Sequence, residues 1–282
     1  MPTSHRTPDR PGHGRLRFFR VRLAAFALAL GCCATAPAAG DDPWPGIRAS
    51  LFGQRPIITD QLVELATPYR AEDAATVPIA IRTQPADKGA YVSKLYLVVD
   101  RNPSPIGAIF TFTGDSGRAD LETRIRIEQY TTVRAIAELS DGRLHMASRF
   151  VKASGGCSAP AGKDQAAAMA RLGRMKLRLD DPVSYDRPNR VQLMISHPNN
   201  SGLVMDQITR YYIPARFVRR IQVSYRGRTV MTADLDFTIS ENPNFRFYFV
   251  PDGEGELKAE VWDSDDAHFE SFLEIGQNAL RN

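Results

Sequence analysis

The chain has 282 residues, with 36 Lys and Arg against 32 Asp and Glu, a formal net charge of +4, and 43% hydrophobic residues. That is enough for two domains of about 100 residues each. The positive excess lies in the first 38 residues, which hold six Arg and one Asp; the remaining thirty basic and thirty-one acidic residues net to −1, which removes any electrostatic case for nucleic acid or anionic membranes as partners.

The first stretch, residues 1–38, reads as a secretory signal peptide. Arg15, Arg17, Arg20 and Arg22 form a positive region ahead of the apolar run 23–30, which is too short to span a bilayer, and Ala36-Pro37-Ala38 supplies the small residues of a cleavage site after Ala38. The absence of an Arg-Arg pair points to the general export route. Leu30-Gly31-Cys32 hints at a lipoprotein site, but Ala29 stands where such sites usually carry Leu, which disfavours lipidation. No later stretch is long and apolar enough for a membrane helix. Export has a consequence for the thiols. Cys32 and Cys33 leave with the leader, so Cys157 is the only cysteine left in an oxidising compartment, where an odd cysteine is either paired between molecules or a reactive thiol.

Residues 41–69 form a mixed lead-in with Trp44 and Pro45; 57–65 fits a short helix or a strand equally. Then come short runs of β character separated by turn residues: 77–81, 91–100, 107–114, 121–128, 132–139 and 143–152. In 121–128, Ile125 and Ile127 are expected on one face and Arg124 and Arg126 on the other. Asp141-Gly142 is a hairpin turn. The last run leads into 152–162, which has no periodicity. Gly155-Gly156 precedes Cys157, and small residues follow. Glycine without a Cβ tolerates almost any φ/ψ, so the stretch reads as a thiol on a flexible tether, with an ordinary interdomain linker as the competing reading. The sequence does not say whether this loop is mobile or docked. Residues 164–177 are rich in helix formers, with Asp164 as a cap and Gly173 as a weak point. Pro182 and Pro188 interrupt regular structure. A second set of runs follows at 190–196, 217–225, 229–235, around Phe245, Phe247 and Phe249, and at 257–262, with 268–275 as a last strand or a trailing end. The expected fold is all-β: two immunoglobulin-like β-sandwich domains, 39–153 and 183–282, joined by a cysteine-bearing linker, 154–182, with a short helix.

Among other candidate residues, Lys152 and Lys163 are near enough in sequence to favour the Cys157 thiolate, though solvated lysines are the better reading. His145, His197 and His268 are widely spaced, without ligand-like pairing, and no metal or cofactor is expected. A Cys157–His197 dyad requires a rigid site, the opposite of a Gly-Gly tether, so His197 is expected to shape the turn before Pro198. Asp263, Asp265 and Asp266 read as a solvated turn rather than a calcium site. The Phe245, Phe247 and Phe249 stripe is core. No phosphate loop, Ser-His-Asp arrangement or dinucleotide fingerprint is present, so no catalytic residue is assigned.

Several short motifs occur in a telling order. The first half carries Arg70-Ala71-Glu72-Asp73 followed by Val77-Pro78-Ile79, Asn102-Pro103-Ser104-Pro105 followed by Phe110-Thr111-Phe112, Arg124-Ile125-Arg126, Ala137 to Gly142, and Gly155-Gly156-Cys157. The second carries Ile195-Ser196-His197-Pro198, Gly202-Leu203, Ile213 to Phe217 and Asn242-Pro243. The chain resembles the sulfur-oxidation carrier SoxYZ fused into one polypeptide, with the SoxY-like part over about 44–157 and the SoxZ-like part over about 190–264. The resemblance implies a non-catalytic periplasmic carrier that holds sulfur intermediates covalently on Cys157, with Gly155 and Gly156 giving reach, and presents them to redox or hydrolytic partner enzymes. Two features depart from the family: its carrier cysteine lies at a free C-terminus whereas 125 residues follow Cys157 here, and Ser158-Ala159 replaces a Gly-Gly. Fused carriers of this kind resemble a subgroup associated with quinoprotein (pyrroloquinoline-quinone-dependent) alcohol dehydrogenases, which implies a thiol-reactive cargo other than sulfur. The competing function is a non-covalent scaffold for such an exported dehydrogenase, with Cys157 idle or forming a dimer disulfide.

Overall fold

The computed structural model describes residues 42–86, 89–159, 165–207 and 209–276. The signal peptide expected over 1–38, Lys163 and the Asp164 cap lie outside the described residues. In chain order, α1 (Trp44–Phe52) precedes eight strands of the first half: β1 (Ile57–Ile58), β2 (Val63–Ala66), β3 (Val77–Thr83), β4 (Val92–Val99), β5 (Ile106–Phe112), β6 (Leu121–Ile125), β7 (Thr131–Leu139) and β8 (Leu144–Val151). After α2 (Gln165–Ala170) the second half adds β9 (Met175–Leu179), β10 (Asn189–Ile195), β11 (Val218–Tyr225), β12 (Arg228–Leu235), β13 (Asn244–Phe249), β14 (Gly255–Asp263) and β15 (His268–Ile275).

The all-β expectation holds. Among the described residues, fifteen strands form two sheets, one of nine strands in the order β1-β8-β7-β4-β5-β12-β11-β14-β15 and one of six in the order β2-β3-β6-β13-β10-β9. Alternation drives the packing. In β13, Phe245, Phe247 and Phe249 are fully buried while the residues between them are half-buried, which sends one face into the core and the other toward solvent. Both halves contribute to both sheets, and each sheet crosses from one half to the other. β5 pairs antiparallel with β12 from Phe112↔Met231 to Ala108↔Leu235, and β6 meets β13 at Glu122↔Arg246. The core is continuous across this seam. The Phe110 ring of the first half packs edge-on against Phe245 of the second, at 6.0 Å between centroids.

Two local readings change and two open ones are resolved. Within 57–65, Ile57–Ile58 is β1 and the run from Val63 begins β2, with a bend between them. The lead-in holds α1, a helix opened by Pro45 in its first turn, whose Phe52 packs at 5.0 Å, edge to face, on Tyr96 of β4. The helix expected over 164–177 ends early. Gly173 takes a positive φ of 76° and the alternating run after it, with Leu177 and Leu179 inward, pairs with β10 instead. The 268–275 run is a full edge strand along β14.

Candidate functional site

β8 carries the chain to the Cys157 turn. Past its end, Lys152 pairs alongside Arg70, with the Lys152 N–H donating to the Tyr69 carbonyl at 2.7 Å and the Ala71 N–H to the Lys152 carbonyl at 3.2 Å. This stitching aims the following residues along the loop between β6 and β7. Gly155, at φ 80°, turns the chain so that its N–H meets the Glu128 carbonyl at 2.9 Å, and the Gly156 N–H meets the Ile127 carbonyl at 2.9 Å. Gly156 is required for a second reason: a Cβ there would lie 2.0 Å from the Ala74 carbonyl oxygen. Over its described residues, 152–159, the stretch that reads as a flexible tether is docked, through glycines that permit close approach of backbone to backbone.

Glu128 closes the turn. Its Oε2 accepts the Cys157 N–H at 2.9 Å and the Ser158 N–H at 3.2 Å, and its Oε1 accepts the Ser158 hydroxyl at 3.1 Å. Charge-assisted bonds of this kind are about twice as strong as neutral ones. From the second half, the Ser201 hydroxyl donates to the Cys157 carbonyl at 2.5 Å. The thiol sits at the seam with 0% exposure. Burial, with the Glu128 charge beside it, pushes its pKa up to about 12, against the opposing pull of Arg126. In this position Cys157 holds its proton and is a poor nucleophile.

Arg126 is a correction to the alternating reading of 121–128. It is 3% exposed, not outward, because β6 ends at Ile125 and the Arg126 N–H turns to the Thr238 carbonyl at 2.7 Å. Its guanidinium donates to the carbonyls of Asn199 at 2.7 Å and of Phe237 and Ile239 at 3.0 Å, all in the second half. Burial holds its pKa below the usual arginine value, and the nearby Cys157, Glu241 and Asp73 act in the other direction. Arg126 thus pins the halves together and places a positive charge near the sulfur. Asn102 backs this arrangement, accepting the Glu128 N–H at 2.9 Å and donating to the Arg126 carbonyl at 2.8 Å.

His197 is structural. Its Nδ1 accepts the Asn199 N–H at 3.0 Å, so Nε2 carries the proton toward Asp263 at 3.5 Å. Burial keeps its pKa below the ordinary histidine value despite the Asp263 partner. Its ring bonds to these two residues, and Asp263 also accepts from Arg216 at 2.9 Å. Asp263 is accordingly buried, in contrast to the solvated turn expected for it, while Asp265 and Asp266 of the same cluster are exposed. Burial raises the Asp263 pKa but the Arg216 bond and the backbone N–H groups of Ala267 and Asp265 outweigh it, leaving the carboxyl below its usual range. Lys152 lies over the Tyr69 ring at 4.9 Å, a site of its own. His145 meets Asp60 at 2.9 Å. Among the described residues, Glu260, His268 and Glu270 bring potential metal-ligand atoms together, but the Lys258 ammonium already lies 3.2 Å from Glu260 and 3.0 Å from Glu270.

The residues that sequence reasoning missed are Glu128 and Ser201, the two that hold the Cys157 turn. Neither stands in a recognisable spacing; each becomes visible only once the β6–β7 loop and the second half are brought to the same place.

The sulfur oxidation protein SoxY family matches residues 48–157, ending on Cys157, and the sulphur oxidation protein SoxZ family matches 177–273. The chain is thus similar to SoxY over its first half and to SoxZ over its second, two regions in one polypeptide that together cover most of it. Among solved structures, the sulfur carrier protein SoxY from Chlorobium limicola f thiosulfatophilum is 22% identical over 39% of this chain and 91% of its own, with a TM-score of 0.33. A superoxide reductase (neelaredoxin) from Ignicoccus hospitalis is 18% identical over 40% and 86%, with a TM-score of 0.28. A glycosyl hydrolase family 2 member from Bacteroides cellulosilyticus is 10% identical over 71% and 24%, with a TM-score of 0.23. No curated protein matches the chain. Among the described residues, no helix is long and apolar enough to cross a membrane.

Proposed function

We propose that the protein is a periplasmic, non-catalytic carrier that holds a sulfur compound or another thiol-reactive intermediate covalently on Cys157 and presents it to partner enzymes. In this reading residues 1–38 are the export signal, 39–153 and 183–282 are the SoxY-like and SoxZ-like parts, and Gly155 and Gly156 give the Cys157 arm its reach when it leaves its docked position. The observation that carries the reading is the place of Cys157: the last residue of the SoxY match, on a turn set against the SoxZ-like half rather than in either sheet. The partners are Sox-type redox or hydrolytic enzymes, or an exported quinoprotein dehydrogenase of the kind associated with fused carriers.

The test is the intact mass of the exported protein purified without reductant and again after reduction. An added, reductant-sensitive mass mapped to Cys157 is expected, and its size identifies the cargo class. Cys157→Ser is expected to abolish function in cells with the fold intact; normal growth of that strain under the relevant condition would sink the carrier reading. One observation favours the second reading, a scaffold with Cys157 idle: the thiol is fully buried and protonated. A bare thiol in every growth condition, with partner binding retained in Cys157→Ser, is its signature; a mass of twice the chain, collapsing on reduction, marks the disulfide dimer.

A further inference from the structure

Cys157 has 0% exposure, so neither bulk water nor an internal space the size of a water molecule touches it. Two surface clefts among the described residues lie elsewhere, one around Thr83, Tyr91 and Arg118 and the other around Thr67, Pro78 and Arg246. The backbone on either side of the sulfur has no slack. Gly156 is pressed against the Ala74 and Ile127 carbonyls, and the N–H groups of Gly155, Gly156, Cys157 and Ser158 are each bonded to the 127–128 segment. On the far side the Ser201 hydroxyl, itself buried, clamps the Cys157 carbonyl. A close-packed site accommodates added heavy atoms only by moving its walls, and here the turn that carries the sulfur is itself held by backbone contacts at Gly156 and by the Glu128 and Ser201 side chains.

We propose that this seat distinguishes the empty carrier from the loaded one: it closes over the bare Cys157 thiol through Glu128 and Ser201, and any group attached to Sγ holds it open. The use of this property in the cell rests on the carrier reading above; its test does not. In the empty state the arm is withdrawn and the thiol protected. In the loaded state the arm stands clear of the sheets, with Glu128 and Ser201 freed and the cargo presented. The same contacts that withhold the empty thiol therefore leave a partner with two surfaces to tell apart.

The probe is methyl methanethiosulfonate on the purified full-length exported protein. The Cys157 thiol gives its proton to solvent, the thiolate attacks the sulfenyl sulfur, the reagent's S–S bond breaks with its electron pair leaving on methanesulfinate, and a methylthio group remains on Sγ in a new disulfide. Amide hydrogen exchange is then read before modification, after it, and after removal of the group with dithiothreitol. The amides of Gly155, Gly156, Cys157 and Ser158 are expected to be protected in the empty protein, to exchange at least about tenfold faster when Sγ is blocked, and to regain protection on reduction. Equal protection of empty and blocked protein overturns the proposal, because the seat would then admit an adduct. A second measurement is the modification rate itself. Gly156→Ala, whose methyl cannot fit against Ala74, is expected to react at least about a hundredfold faster than the unsubstituted protein; equal rates also overturn the proposal, because the thiol would not be withheld. The exchange comparison needs no substitution. It is separate from the carrier reading, which stands or falls on Cys157→Ser in cells.

Discussion

Removed from water and set beside Glu128, the Cys157 thiol keeps its proton up to about 12, against an ordinary value of 9.0. The linkage follows directly. The folded protein retains a proton that the unfolded chain releases, so this contribution is whole below about pH 9 and is lost as pH rises toward 12. Denaturant unfolding of the protein and of Cys157→Ser from pH 8 to 10.5 should show the difference between them shrinking above pH 9, with a slope approaching about 1.4 kcal/mol per pH unit. A difference that stays flat across this range would mean the thiol ionises freely in the folded state. At this scale the sequence is informative about Cys157, a lone thiol behind two glycines, and silent about its neighbours. Arg126 reads as an outward strand residue because alternation continues on paper through Ile127. The strand stops at Ile125, and only the carbonyls of Asn199, Phe237 and Ile239 explain why a guanidinium turns inward.

Strands were legible because period-two alternation is a local property, visible without knowing the partner. Helix α1 was not. Its apolar residues Trp44, Ile47, Leu51 and Phe52 do fall at i, i+3, i+7 and i+8, but the run is only nine residues long and carries Pro45 and Gly46 in its first turn, too short and too interrupted to stand out from the lead-in. What holds it is tertiary. Phe52 and the half-buried Trp44, Ile47 and Leu51 cover Tyr96, Val98, Ile136 and Leu144 on the outer face of the nine-stranded sheet. Arg134 lies over the Trp44 ring at 4.1 Å while its guanidinium grips Asp100 at 2.8 Å. Phe52→Ala removes the ring that anchors this layer and is expected to cost about 3–5 kcal/mol. Chemical denaturation measures it. A loss below about 1 kcal/mol would show that α1 is an attachment rather than part of the cooperative fold.

For the whole molecule, the division into a SoxY-like and a SoxZ-like half is written in the motifs, but the joining of the sheets is not. The β5–β12 pairing links residues more than a hundred positions apart, such as Phe112 and Met231, and no local pattern marks which strand edges will meet. The shared sheets and the common core around Phe110 and Phe245 lead to an expectation about the covalent link. Cutting the chain at a protease site introduced between residues 159 and 165 should leave the two fragments associated, migrating as one species in gel filtration and separating only on denaturation. Fragments that part in native buffer would place the cohesion in the linker instead.

The walls of the Cys157 seat come from both halves, Glu128 and Ala74 from one and Ser201 from the other, and one polypeptide supplies them all. In a carrier assembled from two chains, the shielding of the sulfur would fade on dilution as the subunits part. Here the two walls see each other at the fixed effective concentration of an intramolecular pair. A single translation event delivers them in equal number. The burial of Cys157 is thereby independent of protein concentration, and a molecule alone in solution covers its thiol as well as one among many.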